Sequence, residues 1–141
     1  MLGIDHGTRR IGVAVADVET ALAFERPALR AGSRARDVAA VAELARTEGA
    51  TTVVLGLPLD ESGLENDQSA PARAFGAALA ERGLEVVYVN ERLTSVEAQR
   101  QLQQAGRQPR PKSGELDSAA ARLILQEFLD LRIGAPRIEE P

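Results

Sequence analysis

The chain has 141 residues, of which 27% are charged and 44% hydrophobic, the composition of one soluble globular domain with a core of its own. It contains no cysteine, which excludes disulfides and thiolate metal sites. A net charge of −4 does not favour bulk, sequence-independent binding to nucleic acid, and no apolar stretch reaches the ~18 residues of a membrane-spanning helix. No secretory signal pattern stands at the amino terminus, so the expectation is a cytoplasmic protein without membrane contact.

In chain order, Leu2 to Asp5 reads as a first strand, followed by a glycine turn at Gly7. Residues 10 to 16 and a weaker stretch from Ala21 to Leu29 continue as second and third strands of a meander, with Arg9 and Arg10 at the first turn. From Ser33 to Glu48, Val38, Val41, Ala42 and Ala45 recur at helical spacing, and Gly49 is a natural stop. Thr52 to Leu57 is a continuous apolar run rich in β-branched residues, the pattern of a buried parallel strand, and Pro58 ends it. A polar loop to Ser69 leads into an alanine-rich helix from Ala70 to Arg82, stopped by Gly83. Val86 to Val89 makes the fifth strand, with Asn90 and Glu91 at its end. Thr94 and Glu97 fit a capping box for a helix to about Ala105, residues 106 to 114 read as a basic loop, and Glu115 to Leu131 is a periodic final helix. One domain over 1–133 is expected, with a loosely held tail over 134–141.

Three strands in hairpin order, then alternating helices and strands, predict an α/β fold: a mixed five-stranded sheet with helices on both faces. Functional groups in such sheets collect at the carboxyl ends of the strands. Asp5 is the informative residue there. A carboxylate is costly to bury in a sheet centre unless it is paired or binds a cation. Glu91, at another strand end, and Asp117, in the first turn of the last helix, are its candidate companions. Ala120, Ala121, Ile124 and Leu125 would bring that turn close against the sheet. Three carboxylates with no thiol or imidazole cluster fit a hard cation, Mg2+ or Mn2+, and phosphodiester hydrolysis as the chemistry. Arg9, Arg10, Arg92 and Lys112 would contact substrate phosphates. Residues 92 to 112 hold five cations against Glu97 alone, a basic segment lying between two of the three acids.

Each feature has a plainer reading. Asp5 could cap a hairpin turn, Glu91 and Arg92 could form a surface ion pair of little worth, Asp117 could simply answer the helix dipole, and the basic segment could be a solvated face. His6, the single histidine, adjoins Asp5 and invites a general-base role, though a turn histidine is more often structural. The acids Asp60, Glu61, Glu65 and Asp67 lack EF-hand spacing and read as a solvated loop. What distinguishes the three key acids is their joint occurrence in order.

Taken together, Gly3-Ile4-Asp5-His6-Gly7-Thr8-Arg9-Arg10-Ile11-Gly12-Val13-Ala14, Val54-Leu55-Gly56-Leu57-Pro58-Leu59, Glu91-Arg92-Leu93-Thr94-Ser95-Val96-Glu97-Ala98, and Lys112 with Asp117-Ser118-Ala119-Ala120 resemble the bacterial YqgF family, also called RuvX. The resemblance covers nearly the whole chain apart from the tail. It implies a ribonuclease-H-like metal-dependent nuclease related to Holliday-junction resolvases and linked to 5′-end maturation of 16S ribosomal RNA. Its catalytic and metal-holding acids fall on Asp5, Glu91 and Asp117. Asn90 departs from the family pattern, which usually has an acid there. The expected partner is nucleic acid, RNA before DNA, and also the ribosome precursor. Three other functions are weighed against it. An actin-like ATPase would need two such domains. An inactive nucleic-acid-binding assembly module would keep the fold without cleavage. A four-way-junction or DNA-repair nuclease acting as a resolvase would need a homodimer.

Overall fold

The computed structural model describes residues 1–90 and 115–134. Strand β1 (Leu2–His6) turns into β2 (Arg10–Asp17), then β3 (Leu22–Arg30); helix α1 (Arg34–Glu48), β4 (Thr52–Leu57), α2 (Ser69–Glu81), β5 (Glu85–Asn90) and α3 (Glu115–Gly134) follow. The sheet order is β3-β2-β1-β4-β5, with β1–β2 and β2–β3 antiparallel and β1–β4 and β4–β5 parallel. This is the mixed five-stranded sheet expected from the sequence, and β1 is its centre. The capping-box helix and the basic loop expected over 94–114 lie outside the described residues, as does the tail beyond Gly134, a residue that itself closes α3.

Local chemistry sets the element ends. Ser33 caps α1, its hydroxyl accepting from the Arg36 N–H at 3.3 Å, and Gly49 ends the helix in the left-handed region at φ 70°. Pro71 falls in the first turn of α2, where its missing N–H costs no helical bond. The start of α2 is fastened to the end of β4 by Ser69, whose hydroxyl donates to the Pro58 carbonyl and accepts from the Asn66 N–H. Asp60 folds the preceding loop by accepting from the Ser62 and Leu64 N–H groups at 2.8 and 2.9 Å, which gives it a structural task.

Period-two alternation divides the strands between two cores. Leu2, Ile4, Ile11, Val13, Val15, Val53 and Leu55 face Val38, Val41, Phe75 and Leu79 of α1 and α2. The opposite face offers Ala14, Ala16, Ala23 and Val54 to Ala121, Ile124, Leu125 and Leu129 of α3. Helices therefore cover both faces, α1 and α2 on one and α3 on the other. The α3 face is nearly stripped of side chains. A Cβ on Gly3 would meet the Ala121 carbonyl at 2.6 Å, and one on Gly12 would overlap the backbone of Asp117 and Ser118. Only glycine at these two positions lets the helix backbone come this close.

Candidate active site

Asp5 occupies the penultimate position of the central strand, directly opposite Gly12 of β2 in the register. Its neighbours on either side place it. His6 stacks on Phe75 of α2 with ring centroids 4.4 Å apart, and Ile4 belongs to the same core, so Asp5 projects to the α3 face. Gly12 in turn lies against the main chain of Asp117. Asp5 and Asp117 are thus brought to one face and one end of the sheet, from positions 112 residues apart in the chain, because a glycine separates β2 from the first turn of α3.

What holds that turn is a residue with no evident role in the sequence. Between the pairs Ile11–Leu29 and Val13–Arg26 the β2–β3 register shifts, so that Pro27 and Ala28 stand opposite Gly12 alone. This is a β-bulge, and proline is tolerated there. The Ser118 hydroxyl enters the gap. It accepts from the Val13 N–H at 3.3 Å and donates to the Arg26 carbonyl at 2.7 Å, while the side chain is buried. One hydroxyl therefore bridges both strands and anchors the residue next to Asp117. Further along α3, Gln126 repeats the device, accepting from the Ala23 N–H at 3.0 Å and donating to the Ala21 carbonyl at 2.9 Å. The sequence signals were the glycine within an otherwise apolar second strand and the proline within the third, each of which marks a bulge or a close approach.

Electrostatics distinguish the acid on the helix. Loss of water raises the Asp117 pKa above its ordinary value, and the Arg10 guanidinium partly offsets this. Arg10 shares the α3 face with Gly12 by alternation, which puts its charge within reach of Asp117. Arg9 is exposed in the turn closed by the Gly7 N–H donating to the Arg10 carbonyl at 3.0 Å. Glu91, Arg92 and Lys112 lie outside the described residues, Glu91 as the residue following β5. Among the described residues no three acids or histidines group as a metal-binding cluster. His6 points to the opposite core, where burial lowers its pKa more than nearby Asp37 raises it. That geometry separates it from the two acids and favours the structural reading of this histidine.

A mixed sheet in this order, with helices on both faces and an acid at the end of its central strand, is a ribonuclease-H-like fold. Two structures of Thermus thermophilus RuvC share it. One has a TM-score of 0.58 at 18% identity, covering 94% of this chain and 95% of that one. The other is RuvC in complex with a Holliday junction substrate, with a TM-score of 0.54 at 17% identity and 94% coverage of both chains. At the level of sequence, the RuvX family profile, described as "Holliday junction resolvase", matches residues 1–131. The chain belongs to the RuvX family. It is 38% identical over 141 residues to a protein of Acidiphilium cryptum, covering 99% of this chain and 89% of the relative. It is 42% identical over 134 residues to one of Anaeromyxobacter dehalogenans strain 2CP-1, covering 93% and 96%. Both relatives carry the name "Putative pre-16S rRNA nuclease". No helix among the described residues is long and apolar enough to cross a membrane.

Proposed function

We propose that this chain is a divalent-metal-dependent nuclease that hydrolyses nucleic-acid phosphodiesters, and that its task is maturation of the 5′ end of precursor 16S ribosomal RNA in the cytoplasm. The observation that carries the reading is the convergence of Asp5 and Asp117 at the end of the central strand in a RuvX-family chain. The names of the relatives support the choice of RNA.

Asp5, Asp117 and Glu91 would hold the cation. All are hard oxygen donors, suited to Mg2+ or Mn2+. Asp117 fits this role on its own chemistry, since a carboxylate already deprived of water gains most from a cation placed against it. When bound, such ions activate the attacking water and stabilise the leaving oxygen of the phosphodiester. The protein supplies position. β1 fixes Asp5, the Ser118 bridge and Gly12 fix Asp117, and Arg10 tempers the charge beside it. Arg9, Arg10, Arg92 and Lys112 contact backbone phosphates, which orients the strand without reading its bases.

A second reading has a specific observation behind it, the family description as a junction resolvase. It requires two sites placed across a four-way junction, hence a symmetric homodimer. One experiment decides between them: cleavage of precursor 16S RNA, single-stranded DNA and a four-way junction with Mg2+ or Mn2+, by wild type, Asp5→Asn and Asp117→Asn, with the oligomeric state measured alongside. The expected result is cutting of the RNA 5′ extension by wild type and by neither variant. Preferred cutting of the junction by a dimer would establish the resolvase. RNA binding without cleavage of any substrate would leave an assembly module.

A further inference from the structure

Beside the β1–β2 turn lies a cavity of about 640 Å3, walled by Thr8, Arg9 and Arg10 on one side and by Ala28, Leu29 and Arg30 of β3 on the other. Its wall is cationic. Three arginines line it, and among the described residues no carboxylate does.

The register sharpens the point. Arg10 and Arg30 are directly opposite each other in the antiparallel β2–β3 ladder. Directly opposed residues have Cβ atoms about 4.5–5.5 Å apart on one face, and like charges there destabilise the pair. An anion seated between them reverses that sign. The Ala31 N–H donating to the Arg9 carbonyl at 2.9 Å ties the end of β3 to the turn and holds the two walls together. By alternation the Arg10–Arg30 pair shares the face of Gly12, and therefore of Asp5 and Asp117. β3 lies two strand spacings from β1, roughly 10 Å. An arginine side chain spans part of that distance, which brings a phosphate close to the one at the acids within its reach.

We propose that this cavity is a second phosphate subsite, in which Arg30, with Arg9 and Arg10, grips the nucleic-acid backbone beside the scissile bond. The inference rests on the nuclease reading above and adds a residue, Arg30, and a direction: the bound strand runs from the acids across β2 toward the β3 edge. The ligand is a phosphodiester backbone, from RNA or DNA.

The test is binding of a labelled single-stranded RNA, and of DNA of the same sequence, to the full chain in chelator so that no cleavage intervenes, over a salt series. Wild type is compared with Arg30→Ala, Arg30→Lys and Arg82→Ala; Arg82 is an exposed arginine at the C-cap of α2, at the other end of the sheet. Losing one phosphate contact from a single strand makes the slope of log affinity against log salt shallower by roughly 0.7. Arg30→Ala is expected to show that change and about fivefold weaker binding, with Arg30→Lys recovering the slope and Arg82→Ala matching wild type. If Arg30→Ala binds like Arg82→Ala while wild type binds nucleic acid, the subsite is wrong and the nuclease reading stands. If wild type binds neither RNA nor DNA, both fall. An equal loss on RNA and DNA identifies the phosphate as the ligand, whereas a loss of DNA binding alone, with RNA binding unchanged, would overturn the subsite as part of an RNA path.

Discussion

The two faces of the sheet are packed by opposite rules. Against α1 and α2 the strands present leucine, isoleucine and valine, and the space is filled by side chains such as Phe75 and Leu79. Against α3 they present mainly glycine and alanine, with Val54 the one larger fully buried strand residue, and at Gly3 and Gly12 the helix backbone itself comes up against the strands. The first face buries apolar area and so carries much of the stability. The second gives up side-chain burial for proximity, and proximity is what puts a helical carboxylate beside a strand carboxylate. A β-bulge and one serine hydroxyl hold the thin face in register where the glycines weaken it.

If that division is right, mutations on the two faces separate stability from activity. The largest stability loss is expected from Phe75→Ala on the thick face, about 3–5 kcal/mol as for other buried aromatic truncations. Denaturant unfolding measures it, and the remaining folded protein should cleave with its kcat little changed. Gly12→Ala on the thin face should cost about 1–3 kcal/mol by overpacking, yet abolish cleavage, because its Cβ would displace the Asp117 main chain. A Gly12→Ala protein with wild-type kcat would show that the close approach at Gly12 does not set the position of Asp117.

Ser118→Ala should come next, at about 1–3 kcal/mol for leaving the bridged groups without their partner. Here kcat should fall while KM holds, and Ser118→Thr, which keeps the hydroxyl, should recover part of the rate. The smallest effects are electrostatic and opposite in sign on the two faces. Burial raises the Asp117 pKa, so the folded state binds more protons than the unfolded one, and this group's contribution weakens folding as pH rises above the ordinary aspartate value of 3.8. Asp117→Asn should therefore melt slightly higher than wild type at neutral pH in chelator, and lose the rise in Tm that Mn2+ gives wild type. Burial lowers the His6 pKa, so its contribution is present above the ordinary 6.5 and is lost as pH falls through its folded value. His6→Phe should flatten the thermal stability profile just below that pH.

Much of the fold was legible in the chain. The sequence marks Thr52–Leu57 to the residue, and α1 and α2 to within one, because β-branched runs, helical spacing and the stops Gly49, Pro58 and Gly83 are local signals. Asp5 was likewise marked by its own cost, an acid in an apolar strand. The tertiary structure decided three other things. It turned His6 away from Asp5, since alternation sends adjacent strand residues to opposite faces. It made Gly12 and Ser118, motif residues to which the sequence assigned no role, the seat and anchor of Asp117. It set Arg30 opposite Arg10, a juxtaposition that exists only once β2 and β3 have paired with a bulge between them. Residue chemistry and spacing determine which elements form and which side chains are expensive to bury; which of those meet is fixed by strand register and by how closely a helix can approach.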